Sequence, residues 1–183
     1  MTVDDERPGD GPVRFMRQVI SLDYVARPSP VGRRFAGGLA AGRITGHRCP
    51  ECARVYVPPK GFCPICVVET GVADEVDVSD VGTVTAWTVL TPIQYHGQTE
   101  REDYALASIL LDGADGTVGQ QRLVDAALDD IRMGMRVRAV WADPSERDAD
   151  VDARGYGFGS AVRGFRPTGE PDADRSAYAE HVL

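Results

Sequence analysis

The sequence predicts a mainly β protein in which one N-terminal helix and a small cysteine-held ribbon precede a compact β-barrel. Three observations carry that expectation. Two C-x-x-C pairs lie ten residues apart, at Cys49/Cys52 and Cys63/Cys66. From residue 81 onward, short runs rich in Val, Thr and Ile alternate with Asp-Gly turn signals. Only one segment, after Ser29, has a capped helical pattern. A chain of 183 residues has room for one ordinary domain with an appendage, but not for two full-sized domains.

Taken in order, residues 1–12 are polar, contain Gly and Pro and lack periodicity, so a disordered leader is expected. Residues 13–25 alternate through Ile20, Leu22 and Tyr24, which suits an extended arm able to add to a sheet edge in this chain or a partner. The helix should run from the Ser29 N-cap, with Pro30 in its first turn, to about Gly42. Val31, Phe35 and Leu39 form its apolar stripe. Gly32, Gly37 and Gly38 each weaken it by about 1 kcal/mol relative to Ala, so its stability must come from packing.

The expected organisation is an arm and helix over 13–42, a ribbon over 43–70, a barrel over 71–168 and a polar tail over 169–183. The barrel strands are read at 81–90, 104–111, 117–124 and 135–142, with a last one near 160–165 and a brief helical turn near 128–132. Asp112-Gly113 and Asp115-Gly116 mark a hairpin. Five short strands with so little helix suit a Greek-key barrel better than a βαβ sheet. The segment 143–154, with five acids, reads as a solvated loop, and SAYAEHVL at the end reads as a short docking helix.

The cysteines carry the most specific chemistry. Each C-x-x-C hairpin offers two sulfurs from one tight turn, and two facing hairpins complete the tetrahedron that Zn²⁺ favours. One structural zinc per chain, held by Cys49, Cys52, Cys63 and Cys66, is the expectation. A redox dithiol, a rubredoxin-type iron and a disulfide pair are the rivals. A site with four protein thiolates is coordinatively closed, so its metal builds structure and leaves no open position for catalysis.

Composition excludes several function classes. The net charge of −8 and a pI near 4.8 argue against nucleic acid or an anionic membrane as the main partner. No run approaches the roughly 20 apolar residues that span a bilayer, and the acidic N-terminus is unlike a signal peptide, so a cytoplasmic protein is expected. Charge is uneven, however. Residues 27–66 carry seven basic groups against Glu51, whereas residues 67–183 carry ten against 22 acids. Arg33, Arg34, Arg48 and Lys60 are therefore candidates to face a partner or a phosphate-bearing ligand. The three histidines, His47, His96 and His181, are scattered, and no P-loop, dinucleotide fingerprint, nucleophile elbow or H-E-x-x-H occurs. The loop 91–103, with Tyr95 and His96, is the best place for any activity. No catalytic residue is assigned.

Phe35, Gly38 and Leu39 on the helix, Gly42-Arg43-Ile44, the first C-x-x-C, Val57-Pro58-Pro59-Lys60, C-P-x-C and a barrel ending near Phe165-Arg166-Pro167 together resemble a zinc-ribbon OB-fold family. That family is catalogued as domain of unknown function 35 and described as acyl-CoA-associated. The resemblance covers roughly 29–168. It implies a rubredoxin-like zinc ribbon followed by a small OB-fold barrel, with the four cysteines in the ligand positions. It further implies an accessory subunit of thiolase-like or lipid-transfer-type enzymes, some of them aldolases on CoA thioesters, with steroid or other lipid side chains among the substrates and the reacting residues on the partner. One departure stands out: Ala53 and Val67 occupy positions where such knuckles often carry Gly. The alternative function is a nucleic-acid-binding zinc-ribbon OB module.

Overall fold

The computed structural model describes residues 20, 22, 27–92, 100–147 and 158–182. The leader at 1–12, most of the arm, the Tyr95–His96 segment and residues 148–154 of the acidic loop lie outside that set. Helix α1, Pro30–Ala40, starts where the cap chemistry places it, with the Ser29 hydroxyl accepting the Gly32 N–H at 3.1 Å. It buries Phe35, Ala36, Gly38 and Leu39.

Two sheets follow. Strands β1 (Ile44–Arg48), β2 (Val55–Tyr56) and β3 (Glu75–Val78) form a three-stranded sheet in the order β2-β1-β3. Strands β4 (Val81–Leu90), β5 (Tyr104–Leu111), β6 (Thr117–Arg122), β7 (Arg136–Trp141) and β8 (Val162–Pro167) form the second, in the order β6-β5-β4-β7-β8. The outer strands meet at a parallel bridge between Leu123 and Phe165, and the Val124 N–H donates to the Phe165 carbonyl at 2.9 Å. That contact closes the barrel. It depends on Gly164, where a Cβ would stand 2.7 Å from the Arg122 carbonyl oxygen. The five-stranded barrel with its antiparallel meander and parallel closure is the OB arrangement that the resemblance implied.

Strand β3 lies just before β4, yet it pairs with β1 from Ile44↔Val78 to His47↔Glu75, a pairing that no sequence pattern announces. The hairpin around 112–116 and the turn at Leu128–Asp130 stand where the sequence puts them. The last strand is Val162–Pro167, two residues beyond its expected position. In the tail, short 3₁₀ turns at Arg175–Ala177 and Ala179–His181 replace the expected helix and seat the buried Tyr178.

One apolar core runs through both sheets. Phe35, Leu39, Ile44, Val55 and Val57 from the helix and ribbon join Val84, Ile109, Leu111, Val118, Val137 and Phe165 from the barrel. Phe35, Phe158 and Phe165 make a chain of tilted rings with centroids 6.1 Å apart, the geometry that aromatic pairs favour. Asp115, in the β5–β6 hairpin, adds a polar seam. Its backbone N–H donates to the Val55 carbonyl at 2.7 Å and its carboxylate accepts the Val55 N–H at 2.8 Å.

Candidate metal centre

The two cysteine turns are near copies of one another. In the first, the Cys49 carbonyl accepts the Ala53 N–H at 3.0 Å and the Cys49 N–H donates to Arg54 at 2.8 Å. In the second, the Cys63 carbonyl accepts from Val67 at 2.9 Å and the Cys63 N–H donates to Val68 at 2.9 Å. Each turn closes through a residue in the left-handed region, Ala53 and Val67 both at φ 59°. Both sites therefore do need the positive φ that Gly supplies most easily, and here non-Gly residues accept the strain. Pro58-Pro59, entered by a cis Val57-Pro58 bond, turns the chain back after β2 so that the second knuckle faces the first.

The four Sγ atoms lie within 4.8 Å of one another, with Cys52 Sγ 3.8 Å from Cys63 Sγ. A tetrahedron with Zn–S bonds of about 2.3 Å has sulfur–sulfur edges of about 3.8 Å, so the set fits one zinc. Cys49 and Cys63 are buried, and Cys52 and Cys66 are half-buried. Backbone N–H groups already point at the sulfurs: Glu51 and Cys52 donate to Cys49 Sγ, and Cys66 to Cys63 Sγ, each at 3.4 Å. The Cys66 N–H is the main reason the Cys63 thiol is pulled down to about 7. Contact with Cys52 pushes the Cys66 thiol up to about 12. Four sulfurs this close resist carrying four negative charges by themselves, and a divalent cation is the group that reconciles them. With four protein ligands the metal holds the two knuckles together and offers no position to a substrate.

Behind the ribbon lies a polar cluster that no local pattern in the sequence announces. His47 on β1 is 3% exposed. Its Nδ1 is 2.7 Å from Thr70 Oγ1, and its Nε2 is 3.7 Å from Glu75 Oε1, without a hydrogen-bond partner. Glu75 also accepts from Arg34 Nε at 2.5 Å, which holds its carboxyl below the usual range. The cluster bolts α1 to β1 and β3 beside the metal site, and β1–β3 pairing is what assembles it.

That geometry redistributes the basic candidates. Arg34 is paired with Glu75, and Arg48 donates to the Ala53 carbonyl at 3.2 Å. Arg33 and Lys60 are exposed and have no charged partner among the described residues. Arg43 pairs with Asp77 at 3.1 Å. The acids of β3 thus answer two of the seven cations of residues 27–66, a neutralisation that counting along the chain does not reveal.

A family model for the rubredoxin-like zinc ribbon domain of ChsH2 matches residues 36–69, and one for the C-terminal OB-fold domain of ChsH2 matches residues 75–142. A DUF35 domain-containing scaffold protein of Methanocaldococcus jannaschii is 32% identical over 141 residues, spanning 76% of this chain and 95% of that protein. This chain belongs to the DUF35 family. Two solved DUF35 structures share the fold. One, a protein of unknown function from Sulfolobus solfataricus, has a TM-score of 0.50 at 21% identity and covers 61% of this chain and 78% of its own. The other, described as an Ltp2-ChsH2(DUF35) aldolase, has a TM-score of 0.54 at 22% identity and covers 77% of this chain and 98% of its own. The DUF35 zinc ribbon is where the four cysteines sit, and its OB barrel contains β4 to β7. Among the described residues of this DUF35 chain, no helix is long and apolar enough to cross a membrane.

Proposed function

We propose that this chain is a non-catalytic zinc-ribbon and OB-fold subunit that binds and supports a thiolase-like enzyme, of thiolase or aldolase type, acting on acyl-CoA thioesters. The observation that carries the reading is the cysteine centre, whose four thiolates close the coordination of one metal and leave no position for a substrate. A metal used in this way shapes a surface, and a shaped surface suits a partner. Two named relatives support the same reading: a DUF35 scaffold protein, and a DUF35 chain in an aldolase with a second named component.

The finer parts of the proposal follow from the partner. Its substrate class is lipid-derived acyl-CoA, steroid side chains included, and its reacting residues lie on the thiolase-like subunit. Arg33 and Lys60 are the cations of the ribbon side best placed to meet a partner or a CoA phosphate, since Arg34 and Arg48 have internal partners. A closed thiolate–zinc centre suits a reducing, cytoplasmic location.

Co-expression with a candidate thiolase-like protein from the same organism tests the proposal. One peak of defined stoichiometry by size exclusion with light scattering is the expected result. Separate elution, with salt-sensitive binding of this chain to single-stranded DNA, would replace it with the nucleic-acid reading.

A further inference from the structure

The second cysteine hairpin, residues 61–70, closes on itself. The Thr70 N–H donates to the Gly61 carbonyl at 3.0 Å, Phe62 bridges Glu69, and the Cys63 N–H donates to the Val68 carbonyl. Among the described residues, no backbone hydrogen bond joins this hairpin to the rest of the chain. Its side chains reach beyond it by hydrogen bonding in two places. One is the cysteine cluster, where Cys52 Sγ lies 3.8 Å from Cys63 Sγ. The other is the Thr70 hydroxyl, 2.7 Å from His47 Nδ1. Thr70 and His47 are 8% and 3% exposed, so this second contact is shielded from the water that would replace it if it were lost.

His47 also faces the helix side. It stands on β1 two residues before Cys49, and its register partner on β3 is Glu75. Glu75 in turn holds the Arg34 guanidinium of α1. The helix touches the hairpin directly as well, since a Cβ on Gly61 would stand 3.4 Å from Val31 Cγ2. A line of contacts thus runs from the second knuckle through Thr70, His47 and Glu75 to α1 without passing through a sulfur. The metal and this line hold the same hairpin against the same strand.

We infer that Thr70 and His47 are positioning residues for the zinc, and that metal occupancy is passed along their line of contacts to the seating of α1. Two ties on one segment are coupled. Forming either one reduces the conformational freedom that the other must remove, and each strengthens the other by the same factor. Zinc binding therefore tightens α1 onto β1 and β3, and loss of the Thr70 hydroxyl weakens zinc although no ligand atom changes. Helix α1 carries three glycines and depends on packing for its stability, which makes it responsive to whatever holds its flank.

The test uses the full chain, with zinc alone as the probe. Thr70→Val keeps the side chain's shape and removes the hydroxyl. It should weaken zinc about tenfold in competition with a chelator, and Thr70→Ser should restore affinity to within about twofold. Val137→Ala, in the barrel core, lowers the unfolding midpoint but should leave zinc affinity unchanged, which separates positioning from a general loss of stability. In the unaltered chain, removing zinc should speed amide exchange across α1 by at least about tenfold while β4 and β5 stay protected. Arg34→Ala should make α1 exchange as fast with zinc as without it. Unchanged zinc affinity in Thr70→Val, or an equal loss of affinity in Val137→Ala, overturns the inference. Exchange in α1 that ignores the metal also overturns it, and that measurement needs no variant to fold. Loss of protection throughout the barrel on zinc removal does the same, because the metal then holds the whole fold and not this line.

Discussion

Replacing Asp115 with alanine removes the acceptor of a hydrogen bond that joins the barrel to the zinc ribbon. Val55 is 1% exposed, and its N–H reaches only the Asp115 carboxylate, at 2.8 Å. The reciprocal bond, from the Asp115 N–H to the Val55 carbonyl at 2.7 Å, belongs to the backbone and survives the substitution. The loss is therefore that of one buried donor left without an acceptor, which costs about 1–3 kcal/mol. For a chain of this length each kcal/mol lowers the unfolding midpoint by roughly 2–4 °C, so the expected fall is about 2–12 °C. Asp115→Asn keeps an oxygen at the same place and should lose about half as much, because only charge assistance is removed. Differential scanning calorimetry in a fixed excess of zinc reads both variants, the metal being held constant since it stabilises the folded state by mass action. A midpoint for Asp115→Ala within about 1 °C of the unaltered protein would refute the reasoning. It would mean that the ribbon and barrel are not energetically joined at this seam.

Three further outcomes are expected. Val67 holds φ 59° while its side chain is 77% exposed, so Val67→Gly relieves left-handed strain of about 1–2 kcal/mol, less roughly 0.5–1 for the added chain entropy; a higher unfolding midpoint is the sign to look for. Cys63→Ser should lose the metal and open the ribbon, seen as zinc well below one equivalent in elemental analysis, and a full equivalent would contradict the ligand assignment. Glu75 has a folded-state pKa below its ordinary value because Arg34 bonds it; its contribution is therefore complete above that ordinary value and lost as pH falls through the folded one. Arg34→Ala should flatten the acid limb of stability against pH, below about 4.5, and a superimposable limb would count against the pair.

Local chemistry made part of this molecule readable in advance. Ser29-Pro30 sets a helix start within one turn, and C-x-x-C sets a knuckle within four residues, so α1 and both cysteine turns are legible one segment at a time. Even the positive φ at Ala53 and Val67 follows from the knuckle pattern. What stays hidden is what distant segments do to each other. Strand β1, ITGHR, buries four consecutive residues including Thr45 and His47, and so shows no alternation from which a strand is read. Its pairing with β3, whose rungs join residues 28 to 34 positions apart from His47↔Glu75 to Ile44↔Val78, brings Arg34, His47, Thr70 and Glu75 together. The same pairing neutralises cations that residue counting left as a basic face. Asp115 reads as a turn residue, and only the folded barrel reveals it as the partner of Val55. That β4 runs beyond the end of its pairing with β7 is likewise invisible in a Val- and Thr-rich run.

Zinc K-edge absorption of the complex, recorded before and after saturation with acyl-CoA, tests the central claim most directly. A closed structural centre gives four sulfur scatterers at about 2.3 Å, one zinc per chain and no change when substrate is added. A nitrogen or oxygen ligand in the first coordination shell, or a shell that alters with acyl-CoA, would mean that the metal takes part in the chemistry and that this chain is more than a docking subunit.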